Sequence, residues 1–88
     1  MMTIRQTKTF RKDVLRMKKR GKKLGKLQKL AAVLSRGIQL DRIHKAHPLK
    51  GNWKGYMDAH VENDWILIYK IEDNNLLFAR TGSHSDLF

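Results

Sequence analysis

Residues 65–81 decide the fold: Trp65-Ile66-Leu67-Ile68-Tyr69-Lys70-Ile71-Glu72-Asp73-Asn74-Asn75-Leu76-Leu77-Phe78-Ala79-Arg80-Thr81. Trp65 to Ile71 is β-branched and aromatic, the composition of a central strand. Glu72-Asp73-Asn74-Asn75 is a polar turn. Leu76 to Thr81 resumes as a strand, with Leu77, Ala79 and Thr81 on one face and Leu76, Phe78 and Arg80 on the other. Just upstream, Lys54 to Val61 alternates in the same way. Met57, Ala59 and Val61 share one face; Tyr56, Asp58 and His60 share the other. Three consecutive strands joined by short turns predict an antiparallel sheet.

The first 36 residues have a different period. Thr3 to Gln6 is long enough for one short strand. Phe10, Val14 and Met17 recur at spacings of four and three, the stripe of an amphipathic helix, with Leu15 at its edge. Thr7 or Thr9 can cap it, and Gly21 is a natural stop. Leu24, Leu27, Leu30, Ala31 and Leu34 form a second stripe that ends at Gly37. The expected order is β-α-α-β-β-β, an α+β fold. The helical hairpin packs on one face of a twisted, mostly antiparallel sheet and leaves the other face open. At 88 residues the chain is expected to be a single domain, residues 1–88. Residues 38 to 53 form a connection that contains the only proline, Pro48.

Charge narrows the function. Nineteen Lys and Arg oppose eight Asp and Glu, a net of +11. Such an imbalance points to a polyanionic partner, most commonly nucleic acid. The basic residues fall mainly on the outer faces of the two helices, where exposed cations can meet phosphates or simply be solvated. Cysteine is absent, so there is no disulfide framework and no thiolate metal site. The longest apolar run, Trp65 to Tyr69, is far too short to span a bilayer. The start of the sequence has no apolar stretch after its first charge. A soluble, cytoplasmic protein without a membrane partner is the expectation.

The residues able to carry chemistry gather in the second half: His44, His47, His60 and His84, with Asp58, Asp64 and Arg80 beside them. Imidazole takes or gives a proton near neutral pH. RNA cleavage needs both acts. A base deprotonates a ribose 2′-hydroxyl, which attacks the adjacent phosphate, and an acid protonates the departing 5′-oxygen. Cations stabilise the extra negative charge. No metal or cofactor is required, and the histidine spacings match no common zinc motif. Each residue also has a plainer reading. Arg80 could simply pair with Asp64 or Asp58. His44 and His47 could serve only to hold their loop, and the two tryptophans could be core.

Three ordered blocks at matching spacing then become informative. The string from His47-Pro48-Leu49-Lys50-Gly51-Asn52-Trp53-Lys54 through Gly55-Tyr56-Met57-Asp58-Ala59-His60, the run from Asp64 to Tyr69, and Arg80-Thr81-Gly82-Ser83-His84 with Leu87-Phe88 together resemble the YafQ branch of the RelE/ParE toxin superfamily. The resemblance implies a compact α+β fold and a type II toxin that cleaves messenger RNA in the A site of the ribosome. It implies contact with ribosomal RNA through the basic helices, and a cognate acidic or amphipathic antitoxin that blocks the site. It assigns proton transfer and its support to His47, His60, Asp64 and His84; the division between them is our own reading, with His84 as acid and Asp64 or His60 as base. Arg80 would stabilise phosphate charge. Trp65, Phe88, Lys50 and Lys54 would serve the substrate. Met57 and Asn63 stand where arginine and proline are usual in that branch, and Asp86 adds a carboxylate near the site. A gyrase inhibitor of the ParE type and a non-catalytic RNA-binding module are the competing classes.

Overall fold

The computed structural model describes residues 1–88. Eight elements follow one another: β1 (Thr3–Gln6), α1 (Lys8–Lys19), α2 (Leu24–Ser35), β2 (His47–Pro48), β3 (Met57–Glu62), β4 (Trp65–Glu72), β5 (Asn75–Gly82) and α3 (His84–Leu87). The strands form one sheet in the order β1-β5-β4-β3-β2. β1 runs parallel to β5, and every other pair is antiparallel. The α+β architecture is as the sequence indicates. The connection from 38 to 53 holds more than expected: a 3-10 turn at Arg42–His44, the two-residue strand β2, and a second 3-10 turn at Gly51–Trp53.

Local chemistry accounts for the boundaries. Thr7, not Thr9, caps α1. Its hydroxyl accepts from the Phe10 amide at 2.9 Å and donates to the Ala79 carbonyl at 2.8 Å, which ties the helix start to β5. Both long helices stop at the expected glycines, Gly21 at φ 83° and Gly37 at φ 72°, where a side chain would be strained. The helices pack over one sheet face, where Phe10, Met17, Leu27, Leu30 and Leu34 meet Ala59, Trp65, Leu67, Tyr69, Leu76 and Phe78. No helix is long and apolar enough to cross a membrane.

The second face departs from expectation in two ways. It is only partly open: Leu49, Trp53, Tyr56 and Leu87 pack against Ile66, Ile68 and Ala79. In addition, the β4–β5 register steps from Tyr69↔Phe78 to Ile68↔Arg80, which leaves Ala79 as the extra residue of a bulge. Strict alternation therefore fails beyond Phe78. Thr81, expected beside Leu77 and Ala79, lies opposite Leu67 on the helix-covered side and bonds Trp65.

Candidate active site

The second face is built in cross-strand rows. His47 on β2 lies opposite Asp58 on β3, Asp58 opposite Ile68, and Ile68 opposite Arg80 on β5. The next row is His60, Ile66 and Gly82. Directly after Gly82 the chain turns back over this face as α3, with Leu87 seated on the Ile66–Ile68–Ala79 cluster. That return carries His84 to His60, their ring centroids 5.5 Å apart and nearly perpendicular.

His84 is held at two points. Asp64, in the β3–β4 turn, accepts from His84 Nδ1 at 2.7 Å and from the His84 backbone amide at 3.0 Å, both through Oδ1. These bonds hold the Asp64 carboxyl below its usual range, the amide bond contributing most. With Nδ1–H engaged, Nε2 is the nitrogen left for proton transfer. The ring of Phe88 lies 6.4 Å from that of His84, and Phe88 is 60% exposed, so its face is available to a ligand.

The other sequence-derived candidates divide. His47 Nδ1 lies 3.0 Å from Asp58 Oδ1, but its N–H is aimed at the Lys45 carbonyl at 2.8 Å. Asp58 Oδ1 is therefore buried without a hydrogen bond. Burial pushes the Asp58 carboxyl above its usual range, against the pull of His47, His60 and His84 around it. His44 Nδ1 meets the His60 carbonyl at 2.7 Å and braces β3 from the side. Lys50 and Lys54 are exposed at either end of the second 3-10 turn. Trp65 must be corrected. Placed on the helix-covered face, it is 0% exposed, with Nε1 donating to Thr81 Oγ1 at 2.8 Å, so it supports the sheet from beneath and has no surface for a substrate.

Arg80 pairs with neither Asp64 nor Asp58. Past Phe78, β5 has no β1 partner, and α1 covers this margin. Asp13, 2% exposed, accepts there from Arg80 Nε at 2.7 Å, Arg80 Nη2 at 3.2 Å, Arg16 at 2.9 Å and the Thr81 amide at 3.2 Å. Asp13 raises the Arg80 guanidinium further above its ordinary value. Nη1 of Arg80 is free of this clamp. Several cations expected to point into solvent are likewise tied: Arg20 to Asp86 at 2.6 and 3.0 Å, and Lys22 and Lys26 to Glu62.

Asp86 does two jobs that the sequence reading missed. It completes a capping box with Ser83 at the start of α3, and it receives Arg20 from α1. Arg20, the Ser83 bonds and nearby Arg16 together hold its carboxyl far below the usual range. The carboxylate near the site is thus neutralised rather than turned against phosphate. Gly82 permits the close approach: a Cβ there would lie 2.9 Å from Asp86 Oδ2 and 3.1 Å from Arg16 Nη2.

A model of the YafQ family, bacterial toxins of type II toxin–antitoxin systems, matches residues 2–88. The chain belongs to the YafQ family. It is 51% identical over 80 residues to the mRNA interferase toxin YafQ of Escherichia coli K12, covering 90% of this chain and 87% of that protein. The crystal structure of YafQ from E. coli strain BL21(DE3) matches with a TM-score of 0.94 at 46% identity, over 100% of this chain and 99% of that one. YafQ in the E. coli DinJ–YafQ complex matches with a TM-score of 0.92 at 47% identity, over 100% and 99%. The YafQ assignment therefore spans the helical half as well as the histidine-bearing half.

Proposed function

We propose that this toxin is an endoribonuclease that cuts messenger RNA in the ribosomal A site. The observation that carries the reading is the Asp64–His84 pair facing His60 across 5.5 Å. A phosphodiester lying across the edges of the two rings would meet a proton acceptor at one and a donor at the other. Both observed Asp64 bonds go to His84, which makes Asp64 the orienting group and leaves His60 as the base. His60 takes the 2′-hydroxyl proton. The 2′-oxygen bonds to phosphorus, the bond from phosphorus to the 5′-oxygen breaks, and His84 Nε2 protonates that oxygen. The products are a 2′,3′-cyclic phosphate and a 5′-hydroxyl end. Arg80 Nη1, with Lys50 and Lys54 on the neighbouring loop, supplies positive charge for the phosphorane. Phe88 stacks on a base. His47 holds the β2 edge beside Asp58.

The uncommitted cations of α1 and α2 suit ribosomal RNA, whose phosphates need little more than exposed positive charge. A cognate antitoxin, acidic or amphipathic and comparable to the DinJ partner of E. coli YafQ, would neutralise the toxin. The test is mapping of transcript ends after brief induction. Wild-type protein should produce cuts at fixed codon positions, and His84→Ala should abolish them along with growth arrest. DNA damage without transcript cuts, or undiminished cutting by His84→Ala, would overturn the reading.

A further inference from the structure

We infer that the cleft beside His60 is a base-reading subsite for the nucleotide on the 5′ side of the cut, with Asn63 as its reader. The inference rests on the endoribonuclease reading above. A scissile phosphate set across His60 and His84 has a nucleotide on each side. The His84 side ends at Phe88, an exposed ring on which the leaving nucleotide can stack. The His60 side opens into a cleft of about 330 Å³, lined by Ile43, His44, Lys45, His60, Glu62 and Asn63. That volume lies at the lower end for small-ligand sites and suits one base. His60 belongs to both places, so the nucleotide whose 2′-hydroxyl it deprotonates has its base next to the cleft.

The lining is suited to a flat heterocycle. Ile43 is 74% exposed, a large apolar side chain with no partner in the fold, able to cover one face of a base. Lys45 holds a left-handed φ of 48°, a conformation uncommon for a residue with a side chain, imposed at the rim by the turn after His44. Glu62 is already paired with Lys22 and Lys26. Asn63 is exposed, and its amide offers both a donor and an acceptor, the pair that reads a base edge. Discrimination at this nucleotide would thus lie in the Asn63 amide at the β3–β4 turn.

The experiment measures single-turnover cleavage on ribosomes programmed with four messages that differ only in the nucleotide 5′ of the cut. The wild type should favour some nucleotides by roughly tenfold or more, the range of one well-placed hydrogen-bonded base contact. Asn63→Ala should compress that spread to about threefold or less. Ile43→Ser, in the Arg42–His44 turn and not a sequence neighbour of Asp64, should compress it too. This guards against a mere disturbance of the neighbouring Asp64 in the first variant. A wild type that cuts all four equally, or variants that keep the full spread, overturn the subsite alone. A wild type that cuts none overturns the endoribonuclease reading, and the subsite with it.

Discussion

At the scale of single residues, one carboxylate sets the state of the central imidazole. Asp64 takes both bonds from His84, so Asp64→Asn should leave the fold intact and disturb the tautomer that points Nε2 outward. Cleavage on programmed ribosomes should fall by roughly 10²–10⁴, the scale of lost acid–base catalysis. A variant within about threefold of wild type would rule out an orienting role. The linkage to pH has a definite sign. The folded Asp64 carboxyl titrates below its unfolded value, so its contribution is complete above the ordinary aspartate pKa of about 3.9. It is lost only as pH falls through the depressed folded value. Carboxyl chemical shifts followed through an acid titration should place the Asp64 midpoint below the ordinary aspartate value. His60, Asp64 and His84 were readable in the sequence because imidazole and carboxylate are rare enough there to stand out. Asp13 was not, since one acid in a lysine-rich helix looks like a solvated partner. Its signal was present: it lies three residues after Phe10 and four before Met17, on the apolar stripe.

At the scale of elements, the weakest piece carries His84, the proposed acid. Four residues of helix cannot persist alone, so α3 depends on its Ser83–Asp86 capping box, on Arg20 from α1, on Leu87 and on the close approach at Gly82. Asp86→Ala removes the cap and the tie together, and Gly82→Ala places a methyl 2.9 Å from Asp86 Oδ2. Each variant should lose most cleavage activity while its urea midpoint stays near that of wild type, because little core surface is involved. Unimpaired cleavage by both would show that α3 placement is not limiting. The long helices and the 65–81 hairpin were legible because they repeat a period several times. β2 and the 3-10 turns at Arg42–His44 and Gly51–Trp53 were not, because two or three residues hold no period. α3 did leave a trace in Ser83-His84-Ser85-Asp86, a capping pattern. The bulge at Ala79 had none, and one extra residue there was enough to move Thr81 to the other face.

At the scale of the molecule, Asp13 joins the helical layer to the sheet. It is buried, and three donor residues converge on it. Asp13→Ala should cost about 3–5 kcal/mol, the range for breaking a buried charge pair, a large share of the 5–15 kcal/mol typical of a whole domain. Urea unfolding monitored by tryptophan fluorescence would measure it, and a loss below about 1 kcal/mol would show that water replaces the carboxylate freely. The sheet order adds a kinetic consequence. β1 is synthesised first, yet it pairs with β5, Thr3 against Asn75. Nearly the entire chain must be closed into a loop before that pairing forms, a cost in entropy that slows folding. The first strand to leave the ribosome has no partner until the strand bearing Arg80 has followed it. A partly made chain therefore lacks its completed sheet, and the face that carries His60 and Arg80 takes shape only once β5 is in place.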